Sequence, residues 1–196
     1  MAKKKGGKVE SPSSEDAGIP LLLTEKRKKE KTMFELSLAQ MEKVVRYFSI
    51  GIWGKKAIIP GTDWCVECIA CWIRRYCLKY KVDMILALAQ GVVECHFGVN
   101  PAAVRSRKTK NIYNVGNVDS GANETQISWE AGIERYCKLM SREYNRQEEA
   151  GGYVSLASMV KHDFTRPRGG RFASAPGYTK LVEQLGWRIR KLVESD

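Results

Sequence analysis

No apolar run in this chain approaches the roughly 18 residues that would suggest a membrane span. The run Leu21-Leu22-Leu23 stops after three residues. The charged start Met1-Ala2-Lys3-Lys4-Lys5 is followed by no apolar h-region, so synthesis in the cytoplasm without Sec-type export is expected. Histidine is scarce. His96 and His162 are the only two, and with no third convergent ligand they build neither a zinc site nor, with Asp163, a triad. No Gly-x-Ser-x-Gly elbow and no Gly-Lys-Ser/Thr is present, so Gly169-Gly170 between Arg168 and Arg171 reads as a flexible basic loop rather than a phosphate cradle. A second C-x-x-C pair, which a zinc ribbon needs, is missing as well.

The 6 cysteines that are there include Cys65, Cys68, Cys71 and Cys77, spaced C-x2-C-x2-C-x5-C. A ferredoxin run would close with C-x3-C-P, and no proline follows Cys77. Cys65, Ile69, Trp72, Ile73 and Tyr76 recur at helical spacing, which favours a core helix with reduced cysteines as small buried hydrophobes. The expectation is no metal and no cofactor.

Acidic residues are in short supply: 22 against 33 basic ones, a net charge of +11. That balance favours polyanions, whether nucleic acid, an anionic membrane surface or an anionic cell wall. Apart from Lys26-Arg27-Lys28-Lys29 the basic residues are spread along the chain, so a solvated surface accounts for them equally well. Charge alone gives no reason to expect a specific nucleic-acid partner.

Composition divides the chain into three parts. Residues 1–32 are rich in Lys, Gly, Ser and Glu with almost no aromatics, and read as a basic disordered or tethering tail. Residues 33–61 read as an extra amphipathic helix (Met33, Leu36, Leu38, Met41, Val44, Val45, Phe48) followed by a linker. Residues 62–196 read as a compact, mainly α domain of α+β type. Thr62 or Asp63 is expected to cap the Cys-rich helix, and Asp83 a helix over Met84 to Cys95 that Gly98 stops. The stretch 100–121 lacks a helical period and reads as loop plus short strands, with one small hairpin over 115–127. Ser128 starts another helix, a short one is expected over 154–161, and a last one starts near Ala175-Pro176.

Glu94 closes the apolar run Ala87-Leu88-Ala89-Gln90-Gly91-Val92-Val93. Apolar surroundings disfavour an ionised carboxylate, so a carboxyl there can stay protonated near neutral pH, as a sugar-cleaving general acid requires. A helix-terminal, solvated carboxylate is the bland alternative.

Four blocks then stand in order: Leu88-Ala89-Gln90, Glu94 and Phe97-Gly98; Asn111-Ile112-Tyr113; Ser128-Trp129-Glu130-Ala131-Gly132-Ile133-Glu134-Arg135-Tyr136; and Phe172-Ala173-Ser174-Ala175-Pro176-Gly177-Tyr178. Together they resemble the bacterial and phage β-N-acetylglucosaminidases of glycoside hydrolase family 73, a lysozyme-like family. The resemblance covers about two-thirds of the chain, from about Trp64 to Leu192. The run from Asn111 to Gly121 looks more like phage-associated wall hydrolases than housekeeping autolysins.

The resemblance implies cleavage of the β-1,4 glycan of peptidoglycan with Glu94 as general acid. For a second carboxylate it offers Glu124 first and Asp119 next; alternatively the substrate's own N-acetyl oxygen assists. Phe97, Tyr113, Asn114, Asp119 and Tyr178 would contact substrate, though Tyr113 and Tyr178 would equally pack in the core. The implied setting is a phage virion, made in the host cytoplasm and acting in the periplasm or cell wall, with residues 1–48 meeting other virion proteins. Three positions depart from the family pattern: Phe172 stands where a site tyrosine is usual, Asn114 where glycine is common, and Cys95 where Ser or Thr adjoins the acid. The Phe172 departure motivates a second expectation, a structural virion or tail protein with a degenerate lysozyme-like domain.

Overall fold

Ser37 opens the first helix with a capping box: its hydroxyl accepts from Gln40 N at 3.2 Å while the Gln40 carboxamide accepts from Ser37 N at 3.0 Å. A computed structural model describes residues 35–54, 62–116, 124–146 and 152–195, all within one unit, Met33–Asp196. Of these, 61% are helical and none belongs to a strand. The described helices are α1 (Leu38–Phe48), α2 (Ile50–Trp53), α3 (Val66–Tyr80), α4 (Met84–Cys95), α5 (Val104–Thr109), α6 (Trp129–Glu143), α7 (Leu156–Lys161) and α8 (Tyr178–Glu194). None is long and apolar enough to cross a membrane.

The 3.6-residue period decides what each helix buries. α1 turns Met41, Val44, Val45 and Phe48 inward against α3, with α8 also in contact. It is therefore part of the core rather than an appendage before it. The linker expected after it falls on residues 55–61, outside the described ones. α3 buries Val66, Ile69, Ala70, Ile73, Tyr76 and Cys77, and packs on α1 and on α6. α4 is apolar all round and buried from Met84 to Val92, which makes it the central helix, with α8 its chief neighbour.

Asp83 joins two elements. One carboxylate oxygen accepts from Ile85 N at 2.8 Å and caps α4, as expected, while the other accepts from Leu156 N at 3.3 Å at the start of α7. A parallel bridge between Val82 and Val154 runs alongside. Burial, the largest cause, lifts the Asp83 carboxyl above the usual range, and the amide donors partly offset it. Between α6 and α3, Glu130 accepts from Arg75 and from the Tyr76 hydroxyl, both at 2.8 Å. One turn on, Glu134 accepts from Lys79 at 2.7 Å and the Tyr80 hydroxyl at 2.8 Å. Exposed pairs of this kind contribute only about 0.2–1 kcal/mol each, so their main effect is to fix the register of two helices already joined by apolar contacts.

The expectations for residues 100–121 and for Cys65 are corrected, and the expected hairpin lies largely outside the described residues. The loop over 100–121 contains α5, whose polar sequence VRSRKT hides any apolar period; Ser106 and Thr109 are its buried residues. Of the hairpin expected over 115–127, residues 117–123 lie outside the described ones, and 124–127 form no strand. The cap of α3 is Cys65 rather than Thr62 or Asp63, and Cys65 is not a core thiol but is disulfide-bonded to Cys68. Cys77, Cys95 and Cys137 are the buried free thiols, whereas Cys71 is exposed.

Candidate active site

Glu94 lies in the last turn of α4, and packing forces a sharp turn immediately after it. His96, Phe97 and Gly98 all take positive φ (50°, 58° and 89°), ending the helix and turning the chain back. Phe97 N donates to Gly91 O at 3.0 Å, and the Phe97 ring folds onto Gly91, where an added Cβ would sit 2.7 Å from it. Gly98 meets the buried Trp129 ring, with 2.8 Å left for a Cβ. Two consecutive non-glycine residues at positive φ are costly, on the order of 1–3 kcal/mol each, and this packing holds them there.

The second wall is the loop after α5. The buried Asn111 closes it by donating to Val115 O at 2.8 Å and accepting from Val115 N at 3.1 Å. This turn puts Asn114 at φ 52°. Asparagine is the residue type after glycine that best tolerates that conformation. Cys95 ties the two walls: its thiol donates to Ile112 O at 3.1 Å and its sulfur accepts from Gly98 N at 3.0 Å. It does the bonding a Ser or Thr would do, and burial pushes its pKa up to about 12, so it stays a thiol.

The walls converge on the Glu94 carboxyl. Asn114 donates to one oxygen at 2.9 Å, and the Tyr178 hydroxyl, from the first turn of α8, donates to the other at 2.8 Å. Behind Tyr178 lies Gln90, fully buried, whose amide donates to the Tyr178 oxygen at 2.9 Å and whose carbonyl accepts from Tyr136 at 2.6 Å. Tyr136 stacks on Tyr113 with ring centroids 3.6 Å apart. Phe172 lies on the Tyr178 ring, 6.0 Å away and near-parallel.

Glu94 itself is half-buried and has no cationic partner among the described residues. Its pKa is raised above the ordinary glutamate value, with burial the dominant cause; the Asn114 and Tyr178 donors pull the other way. Burial, and then the Glu94 charge, keep the Tyr178 phenol protonated, so it remains a donor. The site therefore offers one proton to give and two fixed donors to receive the resulting carboxylate.

The other expected site residues divide. Asn114 and Tyr178 touch Glu94. Phe97 and Tyr113 do not line a surface: they are 0% and 1% exposed, core rings beneath the site, and the Tyr113 hydroxyl has no hydrogen-bond partner among the described residues. Glu124 pairs with Arg135 and sits against Gly116, and is not bonded to Glu94. Asp119 lies outside the described residues. His96 packs edge-on against Trp53, and the described residues contain no cluster of three or more His, Cys, Asp or Glu side chains that could hold a metal. A groove of about 310 Å³ between α7 and α8, lined in part by Leu156, Val160 and Trp187, includes none of these residues.

Gln90 and Tyr136 are site residues that sequence reasoning misses. A signal was there: a carboxamide inside an otherwise apolar helix must find partners once buried. Compared with known protein families, curated proteins and solved structures, the chain gives no match. The family resemblance therefore rests on the four blocks alone.

Proposed function

We propose that the protein is a glycosidase that cleaves the β-1,4 glycan backbone of peptidoglycan, with Glu94 as general acid, on a lysozyme-like helical fold. One observation carries this reading. Glu94 of the first block meets Tyr178 of the last block and Asn114, the residue after the second block, at a single half-buried carboxyl, and the third block supplies Tyr136 beneath it. A structural helix-end glutamate needs none of those contacts.

Protonated Glu94 gives its proton to the glycosidic oxygen as the C1–O bond breaks and positive charge develops at the sugar carbon. Asn114 and Tyr178 then stabilise the carboxylate. Water adds to C1 and returns a proton to Glu94. The charge at C1 is met by the substrate's own N-acetyl oxygen, or by Asp119 or Glu124; Glu124, already neutralised by Arg135, is the weaker candidate of the two acids. The basic surface suits an anionic wall, and a phage virion acting at cell entry is the setting the resemblance favours.

Digestion of purified murein by the full-length protein, followed by mass spectrometry of the products, tests this. New glycan ends are expected, and their identity gives the bond cut and separates hydrolysis from anhydro-forming transglycosylation. Absence of any glycan product would sink the enzyme in favour of a structural virion protein, the reading that Phe172 favours.

The pH dependence has a definite sign. A general acid works protonated, so the rate should fall as pH rises through the raised pKa of Glu94. Tyr178→Phe removes one of the donors that lower that pKa, so the alkaline limb should move to higher pH even as the maximal rate drops. It also strands the buried Gln90 amide, at a stability cost of about 1–3 kcal/mol. A limb that stays put, or moves to lower pH, would mean that another group governs it.

A further inference from the structure

We propose that Cys65–Cys68 is a redox-active disulfide, reducible in the folded protein by thiols of the glutathione or dithiol class, and coupled through Trp64 to the turn that comes after Glu94. This goes beyond the glycosidase reading and does not depend on it.

Position argues against a purely structural staple. The bond spans a sequence separation of 3, so it closes about the smallest loop available and removes little chain entropy. Both residues are half-buried at the start of α3, while Cys77, Cys95 and Cys137 are sealed in the core. Cys65 is the N-cap, and its sulfur accepts from Cys68 N at 2.9 Å. A thiolate released there keeps that hydrogen bond and faces the positive end of a 15-residue helix, which makes Cys65 the better leaving group. Exposed Cys71, with a free thiol, stands one turn beyond Cys68 on the same helix.

The exchange balances. A reductant thiolate attacks the Cys68 sulfur, the S–S bond breaks, and its electron pair leaves on Cys65. A second thiol of the reductant then displaces Cys68, giving two thiols on the protein and one disulfide on the reductant. The structural consequence runs through the neighbouring residue. The indole of Trp64 donates to Phe97 O at 2.8 Å, inside the strained turn that ends α4. Freeing Cys65 loosens the segment that holds that indole.

The full-length protein is treated with dithiothreitol under native conditions, alkylated, and mapped by mass spectrometry. Cys65 and Cys68 should become labelled alongside Cys71, with Cys77, Cys95 and Cys137 labelled only after denaturation. In parallel, the Trp64 indole resonance, assigned with Trp64→Phe, should shift on reduction, and Cys68→Ser should show the shifted position without reductant. Failure of Cys65 and Cys68 to label before unfolding would overturn the redox site. Labelling with the Trp64 resonance unmoved would overturn the coupling. Neither readout uses glycan cleavage, so the two proposals fail separately.

Discussion

Glu94→Gln is expected to lower the rate of murein cleavage by about 10²–10⁴-fold, the range a positioned general acid contributes. The same variant should be no less stable than the wild type at neutral pH. The pKa of Glu94 is raised in the folded state, so stability from this group is fully present below the unfolded-state value and is lost as pH rises through the folded value. At any pH above its raised folded value the wild type has to hold an ionised carboxylate in surroundings that disfavour it. Gln removes that burden and still accepts from Tyr178, and its amide nitrogen keeps a partner once the Asn114 carboxamide turns its oxygen towards it. Turbidity clearance gives the rate, and thermal melts at acidic and neutral pH give the stability difference, which should shrink towards acid. Clearance as fast as the wild type would remove Glu94 from the chemistry. A large loss of melting temperature at neutral pH would make it a structural residue.

The second large effect is expected at Gly132, in the Gly-Ile pair of the third block. A Cβ there would lie 2.4 Å from Lys110 O, a backbone atom immediately before the loop that carries Asn111 and Asn114. Either α6 or the loop must shift. Gly132→Ala should cost about 1–3 kcal/mol, the usual range for overpacking a close contact, and should lower cleavage by disturbing the Asn114 bond to Glu94. Gly51→Ala is the control: its Cβ would make ordinary contact at 3.5 Å with Arg46 O, and its melting temperature should be close to the wild type. Equal melting temperatures for Gly132→Ala and Gly51→Ala would show that α6 and the loop have slack at this contact.

Short-range physics was the legible part of this chain. Asp83 and Ser128 cap the helices they were expected to cap, and α4 runs over the expected residues, because capping and apolar runs are local in sequence. The half-buried position of Glu94 at the end of α4 was legible for the same reason. The rest depended on contacts across the chain. Phe97 and Tyr113 looked like cleft aromatics beside a catalytic acid, but positive φ at Phe97 swings its ring under α4, and Tyr113 stacks on Tyr136 from another helix. α5 was hidden because five of its six residues are polar or basic and its one apolar residue, the exposed Val104, makes no amphipathic period. The Cys65–Cys68 bond was hidden because helical spacing places cysteines on a face equally well whether reduced or joined.

The buried string from Tyr136 through Gln90 to Tyr178 has a fixed sense, since the carboxamide donates on one side and accepts on the other. An amide does not hand its hydrogen onward, so the string cannot act as a conduit from the protein interior. It is a brace that aims one hydroxyl at Glu94. A proton that leaves or reaches that carboxyl travels on the outer side, where the proposed glycosidase reaction would place its carriers, the sugar oxygen and the attacking water.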